Sequence, residues 1–418
     1  MNTLKTTYKV IDLFAGAGGL SQGLLMVNET VKKPAFEIIK AVEINEAACK
    51  SLHHHLSSQK LDVNEVVLNG NLEEENVKDT IINSCQGADI VVGGPPCQTY
   101  SLVSPARSGS DKMRKKLAND GRNSLYRHYL EIVARVKPSF ILFENVQGIV
   151  SSNLLDETTG KESRVLKSII YDLNELGYDT TIESDGVKKD FLILNAIDYG
   201  VPQKRVRIFI IANRLGVVNP VPEKTFGPKT GRPYKTLRSA ISDLPAVIPS
   251  IYTGNFKKLK KIDLIAKEPD QYLYWFVNSI LELKDKFKGQ QGEKEYIFLV
   301  SVIKRCYEKV LKNRSIDSLK YFADAYNESL QGLDGTLYEE NNHPALHICR
   351  SHNLRDVCLF SRMKQGTTSA QFLKQSGKIF DSYLAKLYPY GIENHKDTYV
   401  KQSWDKPSST SFTCPAYR

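Results

Sequence analysis

The chain has 418 residues, 41% of them hydrophobic and 25% charged, with a formal net charge of +10. That balance excludes a disordered or collagen-like chain, and the length holds one large domain or two ordinary ones. Seven cysteines, an odd number in a long chain, exclude a disulfide framework. The positive excess is either ordinary solubility charge or a match to a polyanionic partner.

The N-terminus carries two lysines and then an apolar run, but Asp12 interrupts that run, so it reads as strand and turn rather than as a secretion signal. No stretch approaches a membrane span, and the expected compartment is the cytoplasm, with no membrane partner. Strands are predicted over 8–14, 36–45, 88–94, 139–146 and 205–213. Helices are predicted over 19–27, 46–56, 123–136 and 163–177, the last stopped by Gly177. Alternating strands and helices imply an α/β fold with parallel strands joined by crossover helices, so ligands should bind beyond the carboxyl ends of the strands. The pattern stops near residue 214. Residues 219–233 are rich in Pro and Gly and read as a boundary, followed by a short helix over 236–245. Helices near 272–290 and 296–312 are predicted within a Lys- and Tyr-rich region that has no repeat.

Three clusters at the predicted strand ends carry chemistry. "DLFAGAGGLSQG" (12–23) is a strand end, a glycine turn and a helix start, where free N–H groups can meet a ligand. Glu43 ends the next strand, where an acid can accept both ribose hydroxyls of a nucleoside cofactor. A dinucleotide and S-adenosyl-L-methionine both suit this arrangement, but the turn lacks the Gly-x-Gly-x-x-Gly spacing of a dinucleotide site. In "VVGGPPCQTYS" (91–101) the prolines fix the backbone before Cys97, which is a poor setting for a merely buried thiol. "FENVQG" puts Glu144 at the end of another strand. "QKRVR" brings Arg205 and Arg207 onto one strand face. A thiol, an acid and paired arginines make a nucleophile, a proton donor and an anion or carbonyl clamp.

In this order, across residues 8–214, these segments resemble the DNA (cytosine-5)-methyltransferases of bacterial restriction–modification systems. The resemblance implies a Rossmann-like S-adenosyl-L-methionine-dependent catalytic domain over 1–218, then a linker and short helix over 219–245. A mixed target-recognition domain over 246–400 follows, and 401–418 begins a return to the catalytic domain. It implies Cys97 as nucleophile on cytosine C6, Glu144 as the acid at ring N3, Arg207 with Arg205 at the pyrimidine O2, and Asn145 orienting the Pro96–Cys97 peptide. Cofactor contacts are carried over to Asp12, Phe14, Ala15, Gly16, Gly18, Gly19, Leu20, Glu43, Ile44, Asn71, Leu72, Gly94 and Pro96. DNA contacts are carried over to Gln98, Ser101, Gln203 and the segment with Lys112, Arg114, Lys115, Lys116 and Arg122. The implied partners are duplex DNA and a cognate restriction endonuclease, in a nucleoid-associated setting. Within the same family, a tRNA cytosine-5 methyltransferase is the alternative enzyme. A non-catalytic DNA-binding subunit is the alternative from another class.

Some features depart from the family pattern. Asn71 stands in "GNL" where the family often has Gly-Asp-Ile, so an uncharged amide would have to accept the adenine amino group. Tyr100 replaces a Phe. His53, His54 and His55 lie on a predicted helix and point three ways, which reads as surface rather than metal site. His347, Cys349, His352 and Cys358 form a zinc-like set, but "HNLRD" there resembles a segment of the family's recognition region, and no metal is expected. "SWDKPSSTSFTCPAYR" (403–418) resembles the exit from the recognition region. The two family motifs that should follow it, an Arg-Glu/Phe-Pro helix start and a Gly-Asn-x-Val-Pro turn with a final helix, are not found in the sequence. That pattern carries the expectation that this polypeptide alone is inactive or nearly so, either as half of a two-chain enzyme with a complementing polypeptide or as a truncated product, and of apolar surface on the sheet flank near residues 8–27.

Overall fold

The structure is a computed structural model that describes residues 7–57, 62–96, 125–155, 162–184, 186–242, 363–368, 371–372 and 400–409. The predicted helices near 272–290 and 296–312 lie outside the described residues. Two compact units divide the chain, the first ending at Tyr234 and the second beginning at Lys235.

The first unit is built on a seven-stranded sheet. Its strands are β1 (Tyr8–Leu13), β2 (Phe36–Glu43), β3 (Val67–Asn69), β4 (Ile90–Gly93), β5 (Phe140–Val146), β10 (Leu192–Asn195) and β12 (Val206–Asn213), in the order β10-β12-β5-β4-β1-β2-β3. β1 pairs in parallel with both β2 and β4, β2 with β3, and β4 with β5. From β1 the chain runs outward one way to β3 and then restarts on the other side at β4. This reversal opens a crevice beyond the carboxyl ends of β1 and β4. The all-parallel expectation fails at one edge, where β12 runs antiparallel to both β5 and β10. The residues between Gly177 and Arg205 account for this. Sequence alternation gave them no element, but they form a hairpin of β8 (Ile182–Ser184) and β9 (Val187–Lys189), then β10 and a 3-10 turn, Ala196–Tyr199. A tight return of this kind reverses direction without a crossover helix. A second short antiparallel pair, β6 (Asn153–Leu155) with β7 (Glu162–Arg164), precedes the helix that starts at Val165, and β11 (Gln203–Lys204) is two residues long.

Helices cover both faces. On one side lie α1 (Gly19–Asn28), α2 (Glu46–Ser57) and α3 (Val63–Val66), around Val10, Ile38, Ala41, Leu52 and Val92. On the other lie α4 (Glu75–Ser84), α5 (Leu125–Val136) and α6 (Val165–Glu175), around Ile11, Leu13, Ile81, Tyr129, Phe143, Ile169 and Ile208. The α5 stripe of Tyr126, Tyr129, Leu130, Val133 and Val136 has the i, i+3, i+4 spacing of a core-facing helix. α6 ends where Gly177 takes φ +83° and the Tyr178 N–H returns to the Leu173 carbonyl. Lys78, 4% exposed, pairs with Glu131 at 2.6 Å and Glu75 at 2.9 Å, and so fastens α4 to α5.

The sequence pattern closes the first domain at 218, but the first unit continues to Tyr234. In the second unit the short predicted helix is α7 (Leu237–Ile241), started by a reciprocal Thr236/Ser239 capping box. It lies against residues 404–406: Arg238 donates to Asp405 at 2.8 Å and stacks on Trp404, and the Leu237 and Arg238 amides donate to the Lys406 and Trp404 carbonyls.

Candidate active site

The site is built from the ends of β1, β2, β4, β5 and β12. At β1 the chain leaves Leu13 through Phe14, a non-glycine at φ +57°, then Ala15, Gly16 at φ +57° and Gly18 at φ +90°. The turn is tied to β2 because the Ala15 N–H donates to the Val42 carbonyl. Both glycines take backbone conformations that side chains rarely adopt; at Gly18 a β-carbon would also lie 2.6 Å from Leu52 Cδ1, whereas Gly16 opens onto free space. α1 begins at Gly19 and Leu20. Its Ser21 donates from both N–H (3.2 Å) and Oγ (2.6 Å) to Asp12 Oδ2. Asp12 is completely buried, and its other oxygen, Oδ1, has no hydrogen-bond partner. Burial pushes its pKa up to about 6, against the two Ser21 hydrogen bonds that pull it down.

Glu43 ends β2 and accepts the Gly16 N–H at 2.9 Å and the Asn45 N–H at 2.7 Å. The carboxylate therefore spans the glycine turn and the start of α2. Behind it, Asn69 at the end of β3 reaches the Glu43 and Ile44 carbonyls, each at 3.4 Å, and the Cys49 sulfur at 3.1 Å. Next to it lies a cleft of about 470 Å³, lined by Ile44, Leu68, Asn69, Gly70, Asn71, Glu74, Asn76, Val77 and Thr80. Ile44 offers the cleft an exposed apolar surface, and Leu72 is buried beside it. The Asn71 amide is already engaged, accepting the Glu73 N–H and donating to Glu73 Oε2, both at 3.1 Å.

The second half lies across β4. Gly93 is pressed between strand and helix: a β-carbon there would meet the Leu13 carbonyl oxygen at 2.6 Å and Tyr129 Cε2 at 2.9 Å. Gly94 lies under Glu144, whose Oε2 would be 3.0 Å from an added β-carbon. On β5 successive side chains alternate. Ile141, Phe143 and Asn145 turn to the buried side, and Leu142, Glu144 and Val146 to the other. β12 pairs Phe209 with Glu144 and Arg207 with Val146, which brings Arg207 beside Glu144 on that face. Arg207 Nε is 2.9 Å from Glu144 Oε1, and Arg205 Nη2 is 4.0 Å away. Burial raises the Glu144 pKa, opposed by the charges of Arg207 and then Arg205, and the net direction is up.

Asn145, 2% exposed, donates from Nδ2 to the Pro95 carbonyl at 3.1 Å, and its Oδ1 accepts the Val146 N–H. The peptide it holds is therefore Pro95–Pro96, one residue before the Pro96–Cys97 peptide expected from the sequence. Pro96 is the last described residue of that loop. Cys97, Gln98, Ser101, Lys112, Arg114, Lys115, Lys116 and Arg122 lie outside the described residues, as do His347, Cys349, His352 and Cys358. Gln203 is half-buried, and its carbonyl accepts the Arg205 N–H. Among the described residues no group of three His, Cys, Asp or Glu is placed to hold a metal, and no helix is long and apolar enough to cross a membrane. His53, His54 and His55 are on α2, as predicted.

Sequence reasoning missed Ser21 and Asn69. Ser21 carries a weak signal, a hydroxyl in the first turn after a glycine loop. Asn69 carries none, because its role depends on β3 lying beside β2.

The comparisons with known proteins point to one family. The family model for C-5 cytosine-specific DNA methylase matches residues 8–355. Type II methyltransferase M.XorII of Xanthomonas oryzae pv. oryzae is 32% identical over 252 residues, 60% of this chain and 50% of that protein. Type II methyltransferase M.AquIA of Picosynechococcus sp. is 31% identical over 255 residues, 58% of this chain and 90% of that protein. Type II methyltransferase M.BsuRI of Bacillus subtilis is 29% identical over 262 residues, 60% of this chain and 54% of that protein. The chain thus spans about half the length of two of these three relatives and most of the third. With the family model matching most of its length, the chain belongs to the C-5 cytosine-specific DNA methylase family.

Proposed function

We propose that this chain transfers a methyl group from S-adenosyl-L-methionine to C5 of cytosine in a specific duplex DNA sequence, and so protects host DNA in a restriction–modification system. The observation that carries the reading is the convergence of Glu144, Arg207 and the Asn145-held Pro95–Pro96 peptide at one sheet end, immediately before Cys97. The cofactor half fits the group it would hold. Asp12 Oδ1 is a buried acceptor awaiting a donor, Gly16 leaves open space, and Glu43 stands beside a cleft roomy enough for a nucleoside. Asp12, the turn from Phe14 to Leu20, Glu43, Ile44, Asn71 and Leu72 would hold S-adenosyl-L-methionine, with Gly94 and Pro96 across from them. When bound, it supplies an electrophilic methyl group on a sulfonium.

The chain's own residues supply the rest. Cytosine C5 is a poor nucleophile until Cys97 adds as a thiolate to C6, which makes C5 the nucleophilic end of an enamine. Glu144, which burial keeps protonated to higher pH than an ordinary glutamate, donates its proton at N3 as negative charge builds on the ring. Arg207 and Arg205 hold the Glu144 carboxylate and face the pyrimidine O2. C5 then accepts the methyl group. Loss of the C5 proton to a base breaks the S–C6 bond and returns the thiolate, and the N3 proton goes back to Glu144. The target base must leave the duplex stack, at a cost of a few kcal/mol that contacts from Gln98, Ser101, Gln203 and the 112–122 segment would offset. Residues about 246–400 would read the sequence.

A cognate restriction endonuclease and the nucleoid setting belong to this reading. So does a complementing polypeptide, for which α1 offers a seat. Met26 and Val27 in its last turn and Val31 just after it are exposed apolar residues, whereas Val10, Ile11 and Leu13 of β1 are fully buried in mid-sheet.

The test is tritium transfer from labelled cofactor to duplex DNA, alone and with an added polypeptide carrying the Gly-Asn-x-Val-Pro motif, together with covalent trapping on 5-fluorocytosine DNA. Cys97→Ala should abolish transfer and trapping while leaving DNA binding intact. Substantial transfer by that variant refutes the mechanism. Trapping on RNA alone would move the substrate to tRNA, and no trapping on either would leave a binding subunit.

A further inference from the structure

Residues 219–234 have the composition of a linker, yet they are pinned at both ends. At the start, Asn219 is 1% exposed. Its Nδ2 donates to the Asp179 and Thr181 carbonyls at 2.8 and 3.0 Å, and its Oδ1 accepts from Asn213 Nδ2 at 2.9 Å. At the other end the partner is the turn after β10. The Asp198 carbonyl accepts the N–H groups of Thr225 and Phe226, both at 2.9 Å. The Asp198 carboxylate takes Lys224 Nζ at 2.8 Å and Tyr234 Oη at 3.2 Å. Tyr199 Oη reaches the Pro222 carbonyl at 3.3 Å. The Phe226 ring lies on Gly200, where a β-carbon would be 2.5 Å from Cε2. One turn thus grips the strap from Lys224 to Tyr234, and Lys235, the next residue along the chain, begins the second unit.

We propose that Asp198 is a positioning residue for DNA engagement: by clamping the 224–234 strap it fixes the point from which the chain enters its DNA-recognition region. This rests on the proposed function, with recognition residing in about 246–400. The size of the effect follows from chain statistics. Were the clamp released, the stretch from Asn219 to Tyr234 would behave as a tether whose ends wander over about 20 Å. Two DNA-contacting regions joined by such a tether lose effective concentration for each other, and binding of the shared duplex weakens. Lys224 is largely exposed, so its ion pair adds little stability in itself. The clamp acts through geometry shared among several contacts. It lies beside β10 and β12, away from the Asp12–Glu43 half, so cofactor binding should be spared.

The experiment uses the full chain with whatever partner supports its activity. The observed rate of trapping on a randomised-sequence 5-fluorocytosine duplex is measured against duplex concentration, alongside calorimetric binding of S-adenosylhomocysteine. Asp198→Asn should raise the half-saturating duplex concentration about tenfold, with the maximal rate and S-adenosylhomocysteine affinity changed by less than about twofold. The double variant Lys224→Met/Tyr234→Phe, which like Asp198→Asn leaves both main-chain bonds to Asp198 in place but removes both partners of its carboxylate, should show the same split at comparable size, and it carries the test if Asp198→Asn does not fold. Unchanged half-saturation in the folded variants overturns the proposal. So does a parallel loss of S-adenosylhomocysteine affinity, which would make Asp198 a general fold residue. A wild-type chain that binds neither S-adenosylhomocysteine nor duplex overturns the proposed function instead.

Discussion

Asp12 on β1 and Glu144 on β5 occupy the two strands that flank β4, and both are carboxylates withdrawn from water. Their company differs. Asp12 is completely buried among neutral donors, with two hydrogen bonds from Ser21 and one oxygen unpartnered. Glu144 faces two guanidinium groups, one at 2.9 Å. Burial raises both pKa values, but only at Glu144 is a cationic charge already present to oppose it. The Asp12 side, where the proposed function seats the cofactor, is thus an acceptor left unsatisfied by the protein, which favours a ligand that brings a donor or a cation. On the proposed function the Glu144 side is a balanced acid, whose proton can be given up because the arginines stabilise the carboxylate left behind.

The contrast breaks most clearly at Glu144. Exchange for Gln keeps the shape and removes the acid, so methyl transfer should fall at least about a hundredfold, with S-adenosylhomocysteine binding altered less than about twofold. An unchanged rate would move the acid to another residue. The Asp12 side is next in size. Its pKa is 3.8 in the unfolded chain and about 6 in the folded one, so the folded state holds this proton more tightly. The associated stability is fully present below pH 3.8 and is lost as pH rises through 6. Asp12→Asn should therefore remove on the order of 2–3 kcal/mol of the stability difference between about pH 4 and pH 7. Denaturant unfolding at the two pH values reads this, and an undiminished pH dependence would show that Asp12 is ionised as easily as an exposed aspartate. The smallest effect belongs to the residue that joins the halves. Asn145→Ala leaves the Pro95 carbonyl and the Val146 N–H unpartnered, at a cost of about 1–2 kcal/mol in unfolding free energy. It should also slow trapping on 5-fluorocytosine DNA through a less well-held Cys97. A variant as stable and as fast as the parent would mean that the prolines alone direct the loop.

Much of this frame was legible in the sequence, for identifiable reasons. β1, β2, β4 and β5 are short apolar runs ended by glycine or an acid, and α1, α2, α5 and α6 have clean helical spacing, so their bounds fall within about two residues of expectation. The juxtaposition of Glu144 with Arg207 followed from their motifs. The direction of β12 did not, because antiparallel return depends on a hairpin-rich stretch whose short strands have little periodicity. The hydrogen-bond partners were also hidden: Ser21 on Asp12, Asn69 behind Glu43 and Glu73 on Asn71 are choices among nearby donors that only the folded chain makes. The same holds for 219–234, where Pro and Gly content suggested a linker while Asn219 and Asp198 bind it down.

That strap has a consequence for how the protein comes apart. Trypsin must draw a stretch of chain around the target bond into its cleft in extended form, so cleavage inside 219–234 requires the strap to lift off first. Lys224 would have to surrender Asp198, and Arg232, whose carbonyl accepts the Gly227 N–H at 2.7 Å, would have to open its turn. The segment that looks most like a cleavable joint should therefore stay attached to the sheet during limited digestion. A stable amino-terminal core should carry its carboxyl end at Lys235 or later, with residues 219–234 still bound.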